Sequence, residues 1–222
     1  MNSPDVQDAG KNPLQGLYIV TPDWDDTAQL LAVTEQALLG GANIVQYRHK
    51  TASPALRREQ AEALLSLCRR FGKPFIINDH LELCLALDAD GLHVGGTDIS
   101  VAQAREKLGA GKILGASCYG DLELARTAVQ GGASYIAFGG FYPSRIKKYA
   151  VTTPSSIVGE AVEEFDSPNV VIGGMTLENC QPLLAQGADM VAVISSVYMT
   201  EQPQQAARAF SDLFSARDQQ YR

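Results

Sequence analysis

Residues 17–24 read LYIVTPDW. The first four form an apolar, partly β-branched run, the composition of a strand buried on both faces in a parallel sheet. The turn that follows, Thr21-Pro22-Asp23-Trp24, contains no glycine. An open, doubly wound dinucleotide fold needs a Gly-rich turn at this point, after its first strand. Seven more short apolar runs lie downstream: Asn43–Tyr47, Pro74–Ile77, Gly91–Val94, Ile113–Ala116, Tyr135–Phe138, Val170–Ile172 and Met190–Ile194. Segments of helical spacing alternate with them. Eight strands each followed by a helix, without the dinucleotide turn, predict a closed (β/α)8 TIM barrel.

Local signals place several helices. Ser53 followed by Pro54 reads as an N-cap with proline at the first helical position, after which Ala61, Leu64, Leu65 and Cys68 fall on one face. Ser100 and Gln103 match a capping box. Asp121 and Thr176 stand as N-caps of the fifth and seventh helices, and the last helix is expected over about 203–216. A weak repeat runs through the chain at Gly41-Ala42-Asn43, Asp88-Ala89-Asp90, Gly132-Ala133-Ser134 and Gly187-Ala188-Asp189, each just before a strand. Its spacing is about two strand–helix units, and glycine before the strand suits a helix C′ position with positive φ. Residues 1–13 read as a flexible polar arm and residues 14–222 as one barrel domain.

Composition narrows the function. A net charge of −7 and a pI near 4.9 argue against a sequence-independent nucleic-acid binder, which works by releasing phosphate counterions. No apolar run approaches the roughly 18–20 residues that span a bilayer, and the opening MNSPDVQDAGKN lacks the features of a signal peptide. Cys68, Cys84, Cys118 and Cys180 are widely spaced with no CxxC pair. They read as small buried thiols of a reduced, cytoplasmic protein. Self-association is left open by the sequence.

Active sites of barrels are built at the C-terminal ends of the strands. Those positions hold Arg48, His49 and Lys50 after strand 2, Asn78 and Asp79 after strand 3, and Asp98 after strand 4. Ser117 and Cys118 end strand 5. Strand 6 opens into residues 139–148, GGFYPSRIKK, strand 7 ends in Gly173-Gly174, and strand 8 in Ser195-Ser196. Phosphate is often held between the loops after strands 7 and 8, where glycine lets backbone N–H groups approach the oxygens. One or two carboxylates with substrate phosphates is the usual way to hold Mg²⁺, with Arg and Lys supplying the remaining positive charge. The constellation describes a cup for two phosphorylated ligands, one a diphosphate bound with metal. His93, inside strand 4, reads as a hydrogen-bonded interior residue, and Trp24 as a loop residue that either stacks on a ring or packs the loop.

The segments VQYRHK (45–50), FIINDH (75–80), ADGLHVGGTD (89–98), ILGASC (113–118), GGFYPSRIKK (139–148), VVIGGMTLEN (170–179) and GADMVAVISS (187–196) resemble, in this order, the thiamine phosphate synthase family. The resemblance covers about residues 16–198. It implies a transferase that joins a hydroxymethylpyrimidine diphosphate to a thiazole phosphate and releases pyrophosphate. It also implies small-molecule partners, Mg²⁺ on Asp79 and Asp98, and a dissociative route through a pyrimidine-stabilised cation. Gln46, Arg48, Lys50, Asn78, Ser117 and Lys147 match positions that contact the pyrimidine diphosphate, with Arg48, Lys50, Ser117 and Lys147 carrying the catalytic role. Gly174, Ile194 and Ser195, with Ser144, Arg145 and Ile146, match the thiazole-phosphate cradle.

The chain departs from the family at several points. Ser144-Arg145-Ile146 replaces two threonines around a proline, so Arg145 stands where it could reach the thiazole phosphate in place of a lost hydroxyl. His49 stands where an acidic residue is usual, and Cys118 and Tyr119 where a threonine and a histidine are; none of the three receives a role. Two other functions compete, and a phosphosugar isomerase on the same scaffold, suggested only by the phosphate cradle, is a more distant third. A thiazole tautomerase-like isomerase on the same barrel would not need the full set Arg48, Lys50, Asp79, Asp98 and Lys147. A non-catalytic ligand-binding relative is left open by the altered 144–146 loop. No nucleophile–base–orienter set is evident around Ser117, Cys118 or His49, which favours charge separation over covalent catalysis.

Overall fold

The structure, a computed structural model, describes residues 14–96, 99–143 and 152–220. Its strands are β1 (Gly16–Val20), β2 (Ile44–Tyr47), β3 (Phe75–Asn78), β4 (Gly91–Val94), β5 (Ile113–Tyr119), β6 (Tyr135–Gly139), β7 (Asn169–Ile172) and β8 (Met190–Val193). They form a closed barrel in sequence order, and all eight pairings are parallel, β1 with β8 closing the ring. The helices are α1 (Thr27–Leu39), α2 (Pro54–Phe71), α3 (Leu81–Leu87), α4 (Val101–Leu108), α5 (Leu122–Gln130), α6 (Ile157–Glu164), α7 (Gln181–Ala185), α8 (Ser195–Tyr198) and α9 (Pro203–Gln220).

The strands alternate two buried faces. Tyr18, Val20, Ile44, Ile76, Tyr135, Ala137, Val170, Met190 and Ala192 fill the barrel interior as one cluster. Leu17, Ile19, Val45, Tyr47, Phe75, Ile77, Ile136 and Phe138 point outward and pack under the helices. Burial on both faces is why the strands read as continuous apolar runs rather than as an alternation.

Most of the expected caps form. The Ser53 hydroxyl accepts from the Leu56 N–H, and Ala61, Leu64, Leu65 and Cys68 are buried on α2. Ser100 and Gln103 close a capping box on α4. Asp121 accepts from the Glu123 and Leu124 N–H groups. Thr176 does not cap α7, whose N-cap is Cys180. Its hydroxyl instead accepts from the Asn179 N–H, closing the turn after β7. The last helix continues past the expected 216 to Gln220. Strand β5 runs three residues beyond Ala116, because a bulge between Ser117 and Tyr119 keeps the ladder to β6 going.

The repeat has a structural meaning. Gly41, Asp88, Gly132 and Gly187 all adopt positive φ, between 51° and 101°, and turn the chain from helix to strand. The polar residue two positions later ties that strand to its predecessor. Asp90 accepts from Phe75 N, Ser134 Oγ from Leu114 N, and Asp189 from Asn169 N, while Asn43 Nδ2 donates to Gln15 O. Each bond closes an odd–even strand pair at the barrel's N-terminal end.

Candidate active site

At the opposite end, the loops after β1, β2 and β3 meet. Arg48, only 11% exposed, donates from Nη1 to both oxygens of Asp23, at 3.1 and 3.3 Å. Asp23 Oδ1 also accepts from the Lys50 backbone N–H at 2.8 Å. Thr21 Oγ1 takes the Arg48 N–H at 2.8 Å and donates to the Arg48 carbonyl at 2.9 Å. The turn after β1 thus holds the basic segment after β2 from both its backbone and its side chain. Sequence reading missed this role of Asp23 and Thr21. The signal lay in an acid at the end of the strand neighbouring Arg48 and Lys50.

Lys50 Nζ lies 3.1 Å from Asp79 Oδ2, and Asn78 Nδ2 donates to the same oxygen at 2.6 Å. Asp79 has φ 63°, unusual for a non-glycine residue, and its N–H donates to the His93 carbonyl. Arg48, Lys50, Asn78 and Asp79 are therefore brought together as expected. Asp98 and the stretch Ser144, Arg145, Ile146 and Lys147 lie outside the described residues. Among the described residues no group of three or more His, Cys, Asp or Glu side chains gathers in a metal-binding cluster.

The opposite half of the rim is braced by backbone contacts. Gly173 and Gly174 adopt φ 111° and 64°. A Cβ on Gly174 would stand 2.3 Å from the Pro143 carbonyl oxygen, so the loop after β7 lies directly on the loop after β6. Asn179 knits the two: its Nδ2 donates to Gly174 O at 2.9 Å, and its carbonyl accepts from Tyr142 Oη at 2.8 Å. Ser196 Oγ donates to Met175 O at 2.5 Å, joining the end of β8 to the same turn, with Ile194 and Ser195 at the start of α8.

Below the rim, a polar chain crosses the barrel interior. Gln46 Nε2 donates to Tyr18 Oη at 2.7 Å, Tyr18 Oη is 2.7 Å from Tyr135 Oη, and Tyr135 Oη is 2.9 Å from His93 Nδ1. His93 Nε2 in turn lies 2.9 Å from Ser117 Oγ. His93 is thus a hydrogen-bonded interior residue, as expected. Ser117, read from sequence as having no evident base partner, has an imidazole beside it.

The residues without a sequence-derived role are also placed. His49 is buried, with Nε2 3.1 Å from Asp25 Oδ1; its Nδ1 lies 3.9 Å from Asp23 Oδ1 and, among the described residues, makes no hydrogen bond. The four cysteines are buried free thiols. Burial pushes Cys68 and Cys118 up to about 12 and Cys84 and Cys180 up to about 11, far from nucleophilic ionisation at neutral pH. Tyr119 is exposed at the end of β5 with φ 54°. Trp24 packs edge-on against Tyr198 at 5.8 Å, which assigns it to loop packing.

Comparison with known proteins agrees with this geometry. The family model described as thiamine monophosphate synthase matches residues 17–197. A thiamine-phosphate synthase of Janthinobacterium sp. (strain Marseille) is 62% identical over 205 residues, covering 92% of this chain and 99% of the relative. One from Methylobacillus flagellatus is 47% identical, covering 91% and 97%. A solved thiamine phosphate pyrophosphorylase from Pyrococcus furiosus superposes with a TM-score of 0.80 at 30% identity, covering 92% of this chain and 97% of that one. With its barrel, its basic rim and its braced Gly-Gly turn, the chain belongs to the thiamine monophosphate synthase family of transferases.

Proposed function

We propose that the protein condenses 4-amino-2-methyl-5-hydroxymethylpyrimidine diphosphate with thiazole phosphate, yielding thiamine phosphate and pyrophosphate by a dissociative route. The observation that carries this reading is the meeting of Arg48, Lys50, Asn78 and Asp79 on one side of the barrel mouth, facing the glycine turn of β7 on the other. That arrangement suits a diphosphate beside a second, singly phosphorylated ligand.

The donor set fits a divalent cation: Asp79 offers a carboxylate that is 19% exposed, and one or two carboxylates with phosphate oxygens is how Mg²⁺ is usually held. Asp79, with Asp98 as the second carboxylate, would hold Mg²⁺ together with the diphosphate. When bound there, the ion would neutralise charge on the leaving group.

The protein's own groups do the rest. Arg48 and Lys50, joined by Lys147, would hold the diphosphate oxygens as negative charge builds on them. The bond between the pyrimidine methylene carbon and the diphosphate oxygen breaks, and its electron pair leaves with the oxygen. The thiazole nitrogen lone pair then captures the methylene cation. The cradle of Gly174, Ile194 and Ser195, with Ser144, Arg145 and Ile146, would hold the thiazole phosphate so that this nitrogen faces the cation. The buried, un-ionised thiols support a reduced, cytoplasmic setting, and among the described residues no helix is long and apolar enough to cross a membrane.

The test mixes protein, Mg²⁺ and both substrates and follows thiamine phosphate and pyrophosphate, with either substrate alone as control. Appearance of both products only in the complete mixture supports the reaction. Release of pyrophosphate without thiamine phosphate refutes the condensation. For the route, an electron-withdrawing substituent on the pyrimidine should slow the chemical step in rapid-mixing experiments and an electron-rich ring should speed it. A chemical rate indifferent to the substituent would favour concerted displacement by the thiazole nitrogen.

A further inference from the structure

Ser117 beside His93, with a third group on the far nitrogen of the ring, has the outline of a nucleophile–base–orienter set. Its chemistry depends on which ring nitrogen carries the proton. In such a set the nitrogen facing the serine must be bare, so that it can accept the hydroxyl proton.

Counting hydrogens along the buried chain decides the matter. Tyr18 and Tyr135 are 1% and 0% exposed, and each phenol has one hydrogen to give. Tyr18 Oη accepts from Gln46 Nε2, so its own hydrogen goes to Tyr135, its other partner in the chain. Tyr135 Oη then accepts from Tyr18, and its hydrogen goes to His93 Nδ1. With Gln46 Nε2 turned towards Tyr18, the reverse order would leave a buried phenol O–H without an acceptor. Burial also raises both phenols above their ordinary range, so each keeps its hydrogen. His93 Nδ1 is therefore the acceptor, and the ring proton sits on Nε2, facing Ser117 Oγ.

The barrel is shaped around this chain. The His93 and Tyr135 rings stack at 5.6 Å and 27°, and Tyr18 meets Tyr135 edge-on at 5.9 Å. Gly115 supplies the space: a Cβ there would stand 2.1 Å from Tyr135 Cζ and 2.6 Å from His93 Nδ1.

We infer that Tyr18, Tyr135 and His93 are positioning residues that set the hydrogen-bond polarity of the pyrimidine subsite. They hold Ser117 as a hydrogen-bond donor to the ligand, and not as a nucleophile. With His93 Nε2–H donating to it, Ser117 Oγ turns its own hydrogen to the ligand. At the other end, Gln46 spends Nε2 on Tyr18 and presents Oε1 as an acceptor. The subsite is thus built for a ligand with an acceptor facing Ser117 and a donor, such as an exocyclic amine, facing Gln46. This assignment rests on the proposed function for the identity of that ligand, but the tautomer does not.

The test begins with ¹⁵N NMR of the uniformly labelled full chain. It contains three histidines, His49, His80 and His93, so the ring signals can be assigned individually. His93 should be neutral with its proton on Nε2. A proton on Nδ1 alone overturns the inference and restores a serine–base pair, and a doubly protonated ring overturns it as well, because Nδ1 would then not accept from Tyr135. In kinetics, Tyr135→Phe should raise KM for the pyrimidine diphosphate about tenfold, a loss of roughly 1.4 kcal/mol, and change KM for the thiazole phosphate less than about twofold. Added to Ser117→Ala, it should have less than about a twofold further effect, because coupled residues are not additive. Equal effects on both substrates, or a full effect in the Ser117→Ala background, overturns the coupling. If the wild-type chain forms no thiamine phosphate, the proposed reaction fails, while the NMR result still decides the tautomer.

Discussion

Gly174 and Gly72 offer a matched pair, because their φ angles are 64° and 62° while their surroundings differ. Gly72 closes α2, and a Cβ there would meet nothing within 4 Å. At Gly174 the same atom would stand 2.3 Å from Pro143 O, 3.0 Å from Pro143 C and 3.2 Å from Tyr142 O. Alanine in the left-handed region costs about 1–2 kcal/mol at either site, part of it offset by about 0.4–1 kcal/mol from the less flexible unfolded chain. Gly72→Ala should therefore cost about 1 kcal/mol and leave catalysis alone. Gly174→Ala adds overpacking of about 1–3 kcal/mol, because a backbone carbonyl cannot rotate away as a side chain would. To restore 3.0 Å, Pro143 or the β7 turn must retreat by about 0.7 Å. That displacement falls on the proposed seat of the thiazole phosphate, whose KM should rise about tenfold or more, the equivalent of at least ~1.4 kcal/mol. KM for the pyrimidine diphosphate should hold. Urea midpoints report the stability difference, and steady-state kinetics with each substrate varied report the split. An unchanged thiazole-phosphate KM in Gly174→Ala, or equal damage from Gly72→Ala, would refute the reasoning.

Excess chelator should abolish product formation and added Mg²⁺ should restore it, while Asp79→Ala should lower kcat by about 10²–10³, the size of losing one preorganised electrostatic contact, with the fold retained by circular dichroism. Full activity in chelator would remove the metal from the scheme. Arg145→Ala should raise KM for the thiazole phosphate about tenfold to a hundredfold, from the roughly 1.5–3 kcal/mol of a charge-assisted hydrogen bond, and equal effects on both substrates would place Arg145 elsewhere. Alkaline pH should destabilise the fold: desolvation raises Cys68 and Cys118 from 9.0 to about 12. Their contribution is fully present below pH 9 and is lost as pH rises towards 12, because the unfolded chain releases these protons first. Tm should fall between pH 9 and 10.5, and a rising Tm would contradict the burial of these thiols.

Much of the barrel was legible without coordinates, because its determinants are local. A strand buried on both faces must be apolar throughout, so runs such as Ile44–Tyr47 and Met190–Val193 stand out as blocks. The caps Ser53, Ser100 and Asp121 act on N–H groups two or three residues away, so their spacing alone identifies them. Thr176 was misread because its hydroxyl serves a local turn, and the same spacing to Asn179 satisfies either role. The 41–43 type repeat was visible as a pattern, but its bonds join strands and needed the fold. Fold and rim position together made Arg48, Lys50, Asn78 and Asp79 readable as a group, since in a parallel barrel every strand delivers its C-terminal residue to the same end.

What the sequence could not contain was which partners the closed barrel would supply. Tyr18 and Tyr135 are 117 positions apart and look like two apolar strand residues; closure puts their hydroxyls 2.7 Å apart. Asp23 and Arg48 lie on successive strand ends, 25 positions apart, and the β1–β2 register makes them a pair. His93 read correctly as an interior histidine, yet its partners, and with them its tautomer and the role of Ser117, depend on three strands meeting around the space at Gly115. The eight-strand alternation is written in periods of a few residues, so the sequence alone determines it. The polarity of the site is a property of hydrogens shared across the ring, and only tertiary structure decides where each one goes.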